Sequence, residues 1–237
     1  MATLLHCHAV NPLVITLDGP AGSGKSTVAR LLAGRLGVAF LDTGAMYRGL
    51  AAYCLDKGID VTADRDRVID VVSSRPMAFD RTYDPPRLVM DGRDMTDRLR
   101  DLDTNVAVSD VAGIEQVRQV LVEAQRRIGR ELGRMVTEGR DQGSVVFPDA
   151  VMKFFLDAEP QVRAERRSTQ LRDEGKPVDE QLIQRQMARR DQRDKGRRAG
   201  PLTCPHDATR VDTTDMTLDQ VVERLEKLVK QRVGENF

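Results

Sequence analysis

Gly19-Pro20-Ala21-Gly22-Ser23-Gly24-Lys25-Ser26 is the stretch that decides how this chain folds. It matches the pattern GxxxxGK[ST], and its flanks supply the context that the pattern requires. Leu13 to Leu17 is a short apolar, β-branched run that reads as a buried strand ending at Asp18. From Lys25 onward Val28, Leu31, Leu32 and Leu36 recur at helical spacing, and Gly37 is a stop signal. A strand that runs through a glycine-rich loop into a helix is a cradle for phosphate. Consecutive backbone N–H groups can surround a crowded anion only where side chains stay away, which Gly19, Gly22 and Gly24 allow. Pro20, Ala21 and Ser23 complete the loop, and Ser26 and Thr27 open a helix whose positive dipole end faces the anion. Lys25 is expected to bridge the β- and γ-phosphates of a nucleoside triphosphate, and the Ser26 hydroxyl to ligand Mg²⁺.

Outward from the loop the rhythm continues. Val38 to Leu41 reads as a second strand and Gly44 to Lys57 as a second helix, so a parallel sheet wrapped by helices is expected. The rhythm then breaks. A short helix near Asp64 to Ser74 precedes two β-like pieces, Met77 to Phe79 and Arg87 to Met90, and Asp91-Gly92 supplies a hairpin turn signal. Residues 63–104 therefore read as an inserted subdomain with short antiparallel strands. A long helical pattern runs through Val117, Leu121 and Ile128, and core strands resume at Met135 to Thr137 and Val151 to Leu156. Two Arg-rich helical patterns follow, Pro160 to Asp173 and Asp179 to Lys195, joined by a turn at Glu174-Gly175-Lys176-Pro177. Arg210 to Asp212 reads as the last strand and Thr217 to Val233 as a final amphipathic helix. The expectation is one three-layer α/β domain over 13–237, preceded by an N-terminal extension, 1–12. Its core comprises 13–62, 105–160 and 199–237, its insert 63–104 and its helical lid 161–198.

Composition narrows the function. The chain has 237 residues, 37 Lys+Arg and 37 Asp+Glu, so no global field draws it to nucleic acid or to an anionic membrane. The balance is local, however: residues 161–198 carry 12 basic against 7 acidic residues, whereas 63–110 sum to −3. A basic block of this kind is either a solvated helix face or a clamp on a small anion. Cys7, Cys54 and Cys204 are few, scattered and odd in number, which fits a reducing compartment. His6, His8 and His206 lack zinc spacing. No apolar run approaches a membrane span, and Met1 to Pro12 lacks the features of a signal peptide, so a cytoplasmic location is expected.

Phosphate binding alone does not name a reaction. A GTPase switch needs, beside a DxxG element, an NKxD-type base reader, and no such reader string occurs. No apolar strand ending in adjacent acids, as a motor ATPase would show, is evident. A small-molecule kinase needs a second anion site and mobile covers, which the insert and the basic block can supply. If the acceptor is itself a phosphate, no general base is required; several arginines are.

Three further stretches carry a resemblance. Leu41-Asp42-Thr43-Gly44-Ala45-Met46-Tyr47-Arg48 follows the second strand, and Glu138-Gly139-Arg140-Asp141-Gln142-Gly143-Ser144-Val145-Val146-Phe147-Pro148 follows a core strand. Arg190-Asp191-Gln192-Arg193-Asp194-Lys195-Gly196-Arg197 closes the basic block. With the glycine-rich loop, and in order over about Leu13 to Leu228, this set resembles the bacterial cytidylate kinases, which phosphorylate CMP and dCMP. The resemblance implies a P-loop nucleoside monophosphate kinase fold with a parallel core sheet, a monophosphate-binding insert and a helical lid. It implies ATP as donor with Mg²⁺ and CMP or dCMP as acceptor; the charge balance adds no nucleic-acid or membrane partner, and a monomer is the working expectation. Thr43 and Arg48 then look like ligands of the acceptor phosphate and Arg140 like a second clamp. Arg190 and Arg197 look like lid arginines approaching phosphates, and Asp194 like a ribose ligand. Together with Lys25, Arg140, Arg190 and Arg197 form the expected catalytic set. Ser109, Arg118 and Asp141 align with positions that face the cytosine. Glu138 stands where the family more often has Asp, and Ser26 where some members have Gly.

The chemistry of the base agrees with those positions. Cytosine differs from uracil by an exocyclic amine and an unprotonated ring nitrogen. A carboxylate such as Asp141 accepts from the amine but faces a carbonyl in uracil; an arginine such as Arg118 donates to cytosine but meets an N–H in uracil. Arg118 also has the alternative of pairing with Glu115 or Glu123 on its own helix. Tyr47 suits packing or ligation equally. Arg166, Arg167, Arg189 and Arg193 are solvated lid residues unless one of them reaches ATP.

Overall fold

The computed structural model describes residues 13–83 and 85–234. The expected N-terminal extension, with His6, Cys7 and His8, lies outside them. Strand β1 (Leu13–Asp18) is the middle of a five-stranded sheet. It pairs in parallel with β6 (Arg134–Glu138) on one side and β7 (Met152–Asp157) on the other. Outside these lie β2 (Ala39–Asp42), paired with β6, and β8 (Thr209–Asp212), paired with β7, again in parallel. The strand order is β2-β6-β1-β7-β8. The chain leaves central β1 toward one edge and later crosses to the other, so a crevice opens beyond the carboxyl end of β1, where ligands bind in open α/β sheets.

The alternation along β1 shows why it must be central. Ile15 and Leu17 turn to one face and pack with Val28 and Leu32 of α1 (Lys25–Leu36) and Val222 and Leu225 of α8 (Leu218–Val233). Val14 turns to the other face, against Leu41 and Met135. All are buried, as a strand covered on both sides requires. Gly37, in left-handed backbone at φ 63°, ends α1. Thr217 and Gln220 form a reciprocal capping box at the start of α8.

A second apolar cluster joins α2 (Thr43–Asp56), α3 (Arg65–Ser74), β4 (Arg87–Met90), α4 (Leu102–Val111) and α5 (Glu115–Leu132) through Met46, Leu50, Val68, Leu88, Val108 and Leu121. Here β3 (Met77–Asp80), β4 and β5 (Arg93–Asp94) make the small antiparallel sheet. Its β4–β5 turn is Asp91-Gly92, both residues at positive φ (49° and 74°), as the two-residue hairpin turn demands. Helices α6 (Pro160–Asp173) and α7 (Glu180–Lys195) form the Arg-rich hairpin over the carboxyl end of the sheet. Most expected elements recur within a residue or two of their sequence bounds. Three elements do not follow from the reading above: a 3₁₀ turn at Asp97–Arg100, α4, and a π-helical turn at Gln142–Val146.

Candidate active site

The loop after β1 takes the shape its glycines permit. Gly19, Gly22 and Gly24 sit at φ 148°, 76° and 84°. A Cβ at Gly19 would strike the Leu156 carbonyl of β7, and one at Gly22 would lie 2.9 Å from the Arg163 carbonyl. Lys25 folds back: its Nζ donates to the Pro20 carbonyl at 2.6 Å and the Ser23 hydroxyl at 3.3 Å. Burial first, then the Arg140 charge, push its ammonium down to about 7. Thr27, on the first turn of α1, is exposed.

The neighbouring strand ends supply carboxylates. Glu138 ends β6 in register with Leu17 and Asp42, and its Oε1 accepts from the Ser26 hydroxyl at 2.9 Å. Burial raises its carboxyl above the usual range, with Asp42 adding to the rise. Thr43 donates to the Glu138 carbonyl at 2.7 Å. Asp42 caps α2 by accepting from the Ala45 N–H at 2.8 Å, and its other oxygen accepts from Arg48 at 2.9 Å. Asp18 accepts from the Gln142 and Gly143 N–H groups at 2.8 and 2.7 Å. That single carboxylate fastens the π-helical turn to the root of the glycine-rich loop, and burial pushes it from the ordinary 3.8 up to about 6.

Opposite Lys25 is a cluster of arginines. Arg140 Nε donates to Asp194 Oδ2 at 2.8 Å, and Arg197 donates to Asp194 Oδ1. Arg190 has a buried Nε with no hydrogen-bond partner among the described residues. Burial, then repulsion from Arg140, pulls its guanidinium down to about 10, with Arg48 and Arg197 adding to the repulsion. Four guanidinium groups, those of Arg48, Arg140, Arg190 and Arg197, thus crowd around three carboxyl groups, Asp42, Glu138 and Asp194, and with Lys25 the excess positive charge is suited to an anion.

Beside them Arg118 and Asp141 form an ion pair with both side chains 5% exposed. Arg118 also donates to the Ala112 carbonyl at 3.4 Å and lies 5.5 Å from the centre of the Tyr47 ring. Gly200, at φ 60°, covers the pair so closely that a Cβ there would run into both side chains. Ser109 does not join this pair. It lines an adjoining cavity of about 360 Å³ together with Thr62, Arg65 and Arg197.

The structure shows what several of the side chains with open alternatives contact. Arg118 pairs with neither Glu115 nor Glu123: its partner is Asp141, and Glu123 pairs with Arg126. Tyr47 is packed, with its hydroxyl pushed up to about 12 by burial. Arg166 is occupied at the end of β8, donating to the Thr213 hydroxyl and carbonyl at 3.0 and 2.6 Å. Arg193 faces Asp110 at 3.6 Å, and Arg167 bonds Gln170 on its own helix at 2.9 Å. Sequence reasoning missed the work of Asp18, Asp42 and Glu138, although each is the last residue of a strand leading into a quoted motif, a position that marks all three.

The comparisons with known proteins agree with this geometry. A profile of the family described as cytidylate kinase matches residues 15–231. The cytidylate kinase of Rhodococcus opacus (strain B4) is 40% identical over 226 residues, spanning 95% of this chain and 98% of that protein. The cytidylate kinase of Caldanaerobacter subterraneus subsp. tengcongensis is 41% identical over 217 residues, with 92% and 94% covered. In fold, a crystal structure of an uncharacterized protein from Eubacterium ventriosum ATCC 27560 superposes with a TM-score of 0.50 at 15% identity, covering 93% of this chain and 99% of that one. A glycine-rich phosphate loop at the head of a parallel sheet, an arginine cluster facing it and a match over nearly the full length lead to one assignment: the chain belongs to the cytidylate kinase family.

Proposed function

We propose that this protein transfers the γ-phosphoryl group of ATP to the phosphate of CMP or dCMP, giving ADP and CDP or dCDP. The observation that carries the reading is the arginine cluster of Arg48, Arg140, Arg190 and Arg197 opposite Lys25, with the Arg190 Nε buried and unpartnered among the described residues. Such a cluster serves charge in flight between two phosphates. In this reading Gly19 to Thr27 hold the donor and Lys25 neutralises the transferring group. Thr43, Arg48 and Arg140 orient the acceptor phosphate, Arg190 and Arg197 close on the transferring group, and Asp194 takes the ribose. The acceptor oxygen is already anionic, so positioning and charge suffice without a general base.

Arg118 and Asp141 present a donor and an acceptor side by side, and Ser109 lines the adjoining cavity, a set that suits the edge of cytosine. With uracil both would meet like groups, so UMP should be poor. The Ser26 hydroxyl and the Glu138 carboxylate are adjacent oxygen donors, and the buried, raised Glu138 has a cation to gain, so the pair fits Mg²⁺. A bound Mg²⁺ would supply charge neutralisation on the donor phosphates. The insert, 63–104, and the lid, 161–198, act as covers that exclude water. The reading takes the active unit as a monomer, and among the described residues no helix is long and apolar enough to cross a membrane. A cytoplasmic location fits both substrates.

The rival reading is a P-loop protein that binds nucleotide without transferring phosphate. ATP consumption measured with and without CMP separates the two. Strong stimulation by CMP, lost in Arg140→Ala while ATP binding persists, is expected; slow ATP loss indifferent to CMP would overturn the proposal.

A further inference from the structure

Asp191 belongs to the basic block but to none of the roles above, and its surroundings are specific. It lies on α7 with 8% of its surface exposed. Its Oδ1 accepts from the N–H of Ala21, inside the phosphate loop, at 3.3 Å, and its Oδ2 accepts from Arg163 Nη1 at 2.6 Å. Arg163, on α6, is itself buried, donating to the Ala21 carbonyl at 2.9 Å and the Ala158 carbonyl at 3.0 Å. Ala21 is thus gripped at both its N–H and its C=O by two lid helices. Four residues earlier on the same face of α7, Met187 lies against Gly22: a Cβ on that glycine would come within 2.6 Å of the Met187 methyl.

The same helix carries Arg190 and Asp194 on its adjacent face, with Arg197 just past its end, and there Asp194 binds Arg140. Helix α7 therefore has two working faces. One, Met187 and Asp191, meets the donor loop; the other, Arg190 and Asp194, meets the acceptor side. A helix is rigid over one turn, so fixing one face fixes the other. We infer that Asp191 is a positioning residue: with Arg163 it docks the lid on the phosphate loop at Ala21, and so sets the register between the donor cradle and the arginines of α7. The inference rests on the proposed ATP-dependent transfer but not on cytosine as the acceptor base.

The test compares Asp191→Ala, Asp191→Asn and Met187→Ala in the full chain. Two quantities are read: amide hydrogen exchange over residues 19–26 without nucleotide, and the split between phosphoryl transfer and acceptor-independent ATP hydrolysis. Loss of a charge-assisted contact should speed exchange in Asp191→Ala about tenfold. It should also lower the transfer kcat about tenfold, leave KM for CMP within about twofold, and raise hydrolysis relative to transfer. Asp191→Asn keeps an acceptor for the Ala21 N–H and should fall between wild type and Ala. Met187→Ala should shift exchange in the same direction. If Asp191→Ala does not fold, Asp191→Asn and Met187→Ala carry the same comparison. Exchange and partition both within about twofold of wild type would overturn the inference. Should CMP fail as an acceptor for the wild type, the proposed substrate falls, whereas the exchange result still decides the role of Asp191.

Discussion

Removing the Asp141 carboxylate while leaving Arg118 in place separates the structural from the chemical role of the buried pair. Both side chains are 5% exposed. After Asp141→Ala, the Arg118 guanidinium retains a long contact to the Ala112 carbonyl, 3.4 Å, the face of the Tyr47 ring and the more distant charge of Asp194, but no direct carboxylate partner among the described residues. Gly200, at φ 60°, cannot supply a side chain to fill the gap. An uncompensated buried charge costs about 3–5 kcal/mol. For a domain of this size that lowers the melting temperature by about 6–20 °C. Asp141→Asn keeps an acceptor and should cost about 1–3 kcal/mol. The double variant Arg118→Met/Asp141→Leu removes both charges at similar volume and should return to within about 1.5 kcal/mol of wild type. Its kcat/KM for CMP should nonetheless fall by about 10²-fold or more, since neither charged group is left to read the base. Urea unfolding and a coupled transfer assay measure the two quantities. A cost below about 1 kcal/mol for Asp141→Ala, or a double variant that still prefers CMP to UMP, would refute the reasoning.

Three further predictions follow from single residues. Asp18 takes up its proton more readily when folded, at about 6 against the ordinary 3.8, so its contribution to stability is full below about pH 4 and declines as pH rises through 6. The unfolding free energy of wild type relative to Asp18→Asn should drop by about 3 kcal/mol across that window, and a flat difference would contradict it. Lys25, held near 7 without ligand, should regain its proton when diphosphate binds, so calorimetry of ADP binding at pH 8 in two buffers of different ionisation enthalpy should show proton uptake. Gly19→Ala forces a Cβ into the Leu156 carbonyl at φ 148°, and should cost at least about 1–3 kcal/mol in urea unfolding together with ATP affinity.

The sequence yielded the frame because its signals are local. GxxxxGK[ST] between an apolar run and a 3.6-residue period fixed β1 and α1, and Asp91-Gly92 fixed the β4–β5 hairpin. Helix α4 escaped because β-branched and Asn residues dilute its pattern and Leu102 and Val106 on its surface are exposed, although Thr104, Ala107, Val108 and Val111 keep helical spacing. The π-helical turn at 142–146 was illegible for a different reason: its N–H groups are held by Asp18, 124 residues earlier. Partners were likewise hidden. That Arg118 meets Asp141 rather than Glu115, or that Ser26 meets Glu138, is settled by the packing of α5 and β6 and by no local pattern.

Initial rates of ATP-dependent phosphorylation, measured over CMP, dCMP, UMP and AMP, test the central claim most directly. The arrangement of Arg118, Asp141 and the arginine cluster predicts that CMP and dCMP turn over well and that UMP and AMP trail by a wide margin in kcat/KM. AMP or UMP turning over as fast as CMP would contradict it.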